Sequence, residues 1–210
     1  MTQFTLSAFA DEASSEFDRQ IAALHRKHIP LMEIRGVDGK GILDLTDEEL
    51  DVVEKKLAAG NISISAIGSP IGKIDIAGDL DKHIEKLKNT INVANILGAK
   101  YIRMFSFFVP VGHEDEYETQ VFAGMERMVE TARGTGVKLV HENEKAIFGD
   151  STDRCVRLME RFAPELGFAF DPSNFVQCEQ DTKAGFPRLK KYLTYMHMKD
   201  SKFPSNAERE

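Results

Sequence analysis

Three short polar runs at the ends of apolar stretches carry the side chains best suited to chemistry: His141-Glu142-Asn143-Glu144, Asp171-Pro172-Ser173-Asn174 and His197-Met198-Lys199-Asp200. Within them Glu142, Asp171 and His197 form a donor set of two carboxylates and one imidazole. Hard oxygens with one nitrogen suit a divalent ion, whether manganese, magnesium, cobalt or zinc, in a site with positions open for substrate. Each residue alone has an ordinary structural role open to it. Glu142 could be a charged residue just past a strand, Asp171 could open a turn with Pro172, and His197 has apolar neighbours on both sides. A carboxylate at the inner end of an apolar strand is costly unless it is paired or metal-bound. The recurrence of such groups at successive strand ends favours the metal.

The elements that must position them alternate along the chain. Apolar or β-branched runs predict strands at Phe4 to Ala8, Leu31 to Ile34, Ile62 to Ile67, Tyr101 to Phe105, Lys138 to Glu142, Gly167 to Phe170 and Tyr195 to Met198. Helical stripes lie between them: Phe17, Ile21 and Leu24; Ile84, Leu87, Ile91 and Ala94; Met125, Met128, Val129 and Ala132; Cys155, Leu158, Met159 and Phe162. A further helix is expected from Asp47 to Ala59, with Thr46 as its N-cap, and Asp150 or Ser151 should cap the helix that carries Cys155. Gly60, Gly98 and Gly136 fall where left-handed C-caps favour glycine. His25, His28 and His83 read as surface or interface residues on helices, and His141 as facing the helices.

Strict alternation implies parallel strands with helical crossovers. No Gly-rich phosphate turn follows the first strand, which argues for a (β/α) barrel over an open dinucleotide-binding sheet. Residues 1–210 read as one α/β domain with seven strands. In such a barrel the active site lies at the C-terminal strand ends. Glu33 and Arg35 stand there at the end of strand two, Lys73 after strand three, Arg103 on strand four, Asn174 after strand six and Lys199 after strand seven. All six are candidates for binding substrate oxygens.

The 210 residues carry 27 Lys plus Arg against 34 Asp plus Glu, a net charge of −7. An acidic chain is a poor partner for nucleic acid. No stretch reaches the length of a membrane span. Two cysteines, Cys155 and Cys178, make no disulfide framework, and a cytoplasmic location is expected.

The segments His141–Lys145 through Gly149-Asp150, Phe170–Gln177 and Met196–Asp200 resemble the sugar phosphate isomerase/epimerase group of the xylose isomerase-like TIM-barrel superfamily. Phe9–Glu12, Glu33–Gly36 and Ser69–Ile74 look like the same group. The resemblance implies a metal site of a Glu after strand five, an Asp after strand six, a His on strand seven and a Glu after strand eight. The first three carry over to Glu142, Asp171 and His197. The fourth has no counterpart before Glu210, so the expectation is a barrel lacking its eighth βα unit, truncated or completed by a partner chain.

What the resemblance implies is a metal-dependent isomerase or epimerase of a small sugar, ketose or polyol derivative, acting by proton transfer through an enediolate. Glu142 would be one of two glutamates that exchange the proton. Dehydration of an inositol-type ketone uses the same chemistry. The expected partner is a small sugar or sugar phosphate, with no nucleic acid and no membrane, and a homo-oligomer is open. An endonuclease IV-like nuclease is the alternative enzyme, but it needs more histidines, one of them where this chain has Asn174. A non-catalytic or incomplete barrel is the third reading.

Overall fold

A computed structural model of the chain describes residues 4–199 and 201. Seven main strands alternate with helices: β1 (Ser7–Ala8), β2 (Leu31–Ile34), β3 (Ser63–Gly68), β4 (Tyr101–Met104), β5 (Lys138–Glu142), β6 (Gly167–Phe170) and β7 (Leu193–Met196). The helices are α1 (Phe17–Arg26), α2 (Asp47–Ala59), α3 (Leu80–Ile96), α4 (Glu114–Ala132), α5 (Thr152–Phe162), α6 (Pro172–Gln177) and α7 (Thr182–Leu189). Backbone proximity groups them into two compact units. Of the described residues, one comprises 4–69, 88–102 and 134–137, and the other 70–87, 103–133, 138–199 and 201.

In the first unit β1, β2 and β3 pair in parallel. β1 is shorter than the apolar run predicts. Its pairs with β2 are Ser7 with Leu31 and Ala8 with Met32. Phe4 and Leu6 ahead of it are exposed. The apolar stripe of α1 is buried, and Gln20 on the same face donates to the Gly36 carbonyl at 3.1 Å. Gly36–Val37 and Lys40–Gly41 form a small antiparallel hairpin. Its turn residues Asp38 and Gly39 both have positive φ, as a two-residue hairpin turn requires. Helix α2 starts and ends where the sequence places it. The Thr46 hydroxyl accepts from the Glu49 N–H at 3.3 Å while the Glu49 carboxylate accepts from the Thr46 N–H at 3.0 Å, a reciprocal capping box. Its C-terminal Gly60 is right-handed, and the left-handed residue is Asn61 instead.

In the second unit β5, β6 and β7 pair in parallel. β7 lies two residues earlier than predicted, because β6 stops at Phe170 and leaves Met196 as its last partner. The stripes of α4 and α5 are buried as expected, and Ser151 caps α5. Helices α6 and α7 emerge in a stretch with no sustained apolar stripe. His83 is buried and accepts the Gly72 N–H at 2.8 Å, so it is a core residue and not a surface one.

His141 is wholly buried, stacked near Phe168 with ring centroids 6.1 Å apart. The Ser106 hydroxyl accepts from the Gly149 N–H at 2.8 Å and meets His141 Nε2 at 2.9 Å. Burial pushes the His141 pKa down to about 4, with the Glu142 charge opposing it only in part. An unfolded histidine titrates near ~6.5, so the folded chain refuses a proton that the unfolded chain accepts.

Two outcomes follow from these packing arrangements. Thr46→Ala should lower unfolding free energy by about 1 kcal/mol in a urea titration, through loss of the cap. The stability that neutral His141 contributes is complete above about pH 6.5 and is lost as pH falls from there toward 4. The urea midpoint should therefore decline across that window, and His141→Gln should flatten the decline. An equally steep decline in the variant would assign it to other groups.

Candidate metal centre

Glu142 is the last residue of β5, Asp171 follows β6 directly, and His197 follows β7 directly. All three are buried, with one ligand atom from each lying within 4.8 Å of the others. Parallel neighbours ending at the same edge bring them together. The His197 N–H donates to the Phe170 carbonyl at 3.0 Å, so the chain stays in register one residue past β7 and holds the imidazole over the cluster. His197 Nδ1 lies 2.9 Å from Glu142 Oε1 and 4.0 Å from Asp171 Oδ2.

Two asparagines fix the carboxylates. Asn143 bridges strand ends by exchanging hydrogen bonds with the Asp171 backbone: its Nδ2 donates to the Asp171 carbonyl at 2.8 Å, and its Oδ1 accepts the Asp171 N–H at 2.9 Å. Asn174 Nδ2 donates to the Asn143 carbonyl at 2.9 Å and to Glu142 Oε1 at 3.2 Å. Asp171 also caps α6, with Oδ1 accepting the Asn174 N–H at 2.8 Å and Pro172 in the first helical position. The turn role and the cluster role of Asp171 thus coexist on its two oxygens.

Glu142 Oε2 and Asp171 Oδ2 are buried and accept no hydrogen bond from the described residues. Each meets a cation instead. Arg103 lies 3.3 Å from Glu142 Oε2, and Lys199 Nζ lies 3.0 Å from Asp171 Oδ2. Burial drives the Glu142 pKa up, but the His197 hydrogen bond and the charges of His197, Arg103 and Lys199 outweigh it and hold it low, at about 2. Burial raises Asp171, and the Glu142 charge adds to that against the Asn174 N–H and Lys199. Two buried carboxylates and one imidazole, each with a ligand atom within 4.8 Å of the others, fit a divalent ion, and the described residues hold no other such group.

The other candidates fall in different places. Lys73 pairs with Glu144 at 3.1 Å and lies 4.2 Å above the Phe105 ring, which Arg103 also overlies at 5.1 Å. The segment carrying Lys73 is seated on the end of β4: the Phe105 N–H donates to Ile71 at 2.8 Å, and Gly72 approaches so closely that a Cβ there would lie 2.0 Å from the Phe105 oxygen. Asn174 supports Glu142 more directly than the sequence indicates, and Asn143 is a supporting residue that the sequence reading missed. Its signal was only its position between two candidate acids. Glu33 and Arg35 belong to the first unit. Glu33 is buried next to a register shift in β2, and Arg35 pairs with Asp11 at 2.9 Å and Glu12 at 3.1 Å. Asp200 lies outside the described residues.

Among curated proteins no sequence matches the chain. Solved structures do match in fold. A probable 3-DHS dehydratase involved in petrobactin synthesis from Bacillus anthracis superposes with a TM-score of 0.79 at 16% identity, over 95% of this chain and 73% of that one. A xylose isomerase-like TIM barrel protein from Mycobacterium smegmatis in complex with magnesium gives 0.69 at 14%, over 86% and 65%. A 3-keto-D-glucoside 4-epimerase from E. coli gives 0.68 at 11%, over 87% and 73%. At these identities the likeness carries the fold alone. The family model for the xylose isomerase-like TIM barrel matches residues 29–210. With its seven strands alternating with helices, the chain belongs to the xylose isomerase-like TIM-barrel family.

Proposed function

We propose that the chain is a divalent-metal-dependent isomerase or epimerase of a small sugar, ketose or polyol derivative, with Glu142, Asp171 and His197 as metal ligands. The observation that carries this reading is the convergence of one ligand atom each from two buried carboxylates and an imidazole within 4.8 Å at three successive strand ends. The family match and the epimerase and dehydratase activities named for similar folds support it. The magnesium complex of a similar fold supports a hard cation.

When bound, a divalent ion polarises a carbonyl and an adjacent hydroxyl, which makes the neighbouring C–H acidic. The residues of the chain do the rest. Glu142, held ionised by its cationic neighbours, is in the form that takes up a proton. Asn174 fixes its Oε1, while Oε2 faces Arg103. Asn143 locks the backbone of Asp171, so that its carboxylate keeps its angle when substrate enters. Arg103, Lys73 and Lys199 present donors to substrate oxygens. Asn174 also separates this reading from a nuclease: it occupies the place where that chemistry requires another histidine, and its amide is fully engaged with Glu142, Asn143 and Lys199.

After chelator treatment and reloading with Mn²⁺, elemental analysis of the purified chain should find one ion per chain. Asp171→Asn should weaken binding by more than the roughly 10–100-fold typical of losing a supporting contact. In deuterated water the loaded protein should exchange a carbon-bound hydrogen beside the carbonyl of a ketose, and Glu142→Gln should remove the exchange while the protein stays folded. Substoichiometric metal together with no exchange across a ketose panel would end this reading in favour of a non-catalytic barrel.

A further inference from the structure

This inference rests on the metal-centre reading and concerns what occupies the ligand oxygens before a metal arrives. Asp171 has one oxygen to give. Its Oδ1 is taken by the Asn174 N–H at 2.8 Å, and its Oδ2 is where Lys199 Nζ sits, at 3.0 Å. The same ammonium donates to Asn174 Oδ1 at 2.9 Å. Glu142 repeats the pattern. Oε1 meets Asn174 Nδ2 and His197 Nδ1, and Oε2 faces Arg103 at 3.3 Å. Each oxygen open to a metal is therefore already covered by a side-chain cation.

A divalent ion and an ammonium cannot both keep short contacts to one buried oxygen, because their mutual repulsion is poorly screened there. One of the two side-chain cations has to give way, and they are not equally able to. The Arg103 side chain is 14% exposed and stacks over Phe105. The Lys199 side chain is 50% exposed and lies past the end of β7. A lysine ammonium is compact, strongly hydrated and carried on a flexible stem, so withdrawal returns it to water at little cost. Arg103 would lose a ring contact and a semi-buried position.

We infer that Lys199 is the resident counter-cation of Asp171 and is displaced from Oδ2 when a divalent metal loads. Loading is then an exchange of one cation for another and not a simple capture. The metal-free site stays folded without two buried carboxylates repelling each other, and the affinity for metal is set lower than the ligands alone would give. The loaded site gains a mobile ammonium beside the metal, positioned to meet a substrate oxygen.

Two measurements test this on the intact chain. Acetic anhydride labelling read by mass spectrometry should show Lys199 modified at least fivefold faster with Mn²⁺ than without, relative to exposed Lys82 on α3 as internal reference. By calorimetry, Lys199→Met should bind Mn²⁺ at least tenfold more tightly than the native chain. Lys199→Gln, which retains a donor for Asn174 without the charge, should match it. Labelling of Lys199 unchanged by Mn²⁺, or variants that bind no more tightly, would overturn the role of Lys199 while leaving the metal centre standing. Failure of Mn²⁺ to bind native chain and variants alike would remove the metal centre and this inference together.

Discussion

Burying two carboxylates side by side is the constraint around which the second unit is organised. Glu142 and Asp171 are almost completely removed from solvent. An isolated buried carboxylate is costly enough that it either neutralises or acquires partners. Here partners come from every side: an imidazole, the Asn174 amide, a helix N-terminus, an arginine and a lysine. The two acids respond differently to similar burial. Glu142 faces more positive charge and is held low, whereas Asp171 has Glu142 itself as a neighbour and is pushed up. Two groups of one type whose environments drive them apart are a recurrent mark of a working site.

The partners also divide the labour between the oxygens of each acid. Fixed amide donors take Oδ1 of Asp171 and Oε1 of Glu142, and these bonds come from backbone or from an asparagine whose other contacts pin it. The second oxygens are left to charged groups. A hydrogen bond from a rigid amide orients a carboxylate, and an ion pair with a long side chain neutralises it without fixing it. The site thus combines fixed angles with exchangeable charge. Strand geometry supplies the remainder. On β5, His141 and Glu142 point to opposite faces. One closes a packed contact with Ser106 and the other opens into the cluster, so a single strand end serves both the core and the site.

Much of this was legible in the sequence, for physical reasons that can be named. The helical stripes survive because burying an apolar face decides helix position. The capping box at Thr46 is written in four residues, and β2, β5 and β6 lie where the apolar runs put them. The three candidate ligands stand together because parallel strands end at one edge. Other features depend on pairing that no local pattern encodes. β1 pairs with β2 at only two residues, and β7 is shifted by the early end of β6. His83 looks like a surface residue on a polar helix face until Gly72 is seen donating to it. The supporting roles of Asn143 and Asn174 arise from contacts 28 and 32 residues away in sequence. An asparagine next to an acid carries no local signal of that kind.

The ligand set and the cations around it encode different things. Two carboxylates and an imidazole define where a hard ion would sit, and the same trio could serve many reactions. What can differ between relatives is the surrounding charge. In this chain Lys73 and Arg103 overlie the same Phe105 ring, and each is matched to its own acid, Glu144 or Glu142. The ring and the tight Ile71-Gly72 contact to the β4 end hold both cations against one wall, where their donors are partly desolvated and so count for more than exposed ones. A substrate oxygen that reaches them must replace an existing carboxylate contact to gain one. A hydroxyl gives little in that exchange, whereas an oxygen carrying charge gives more. Under the proposed function, discrimination among substrates would follow from the difference between those two exchanges, not from the number of donors present.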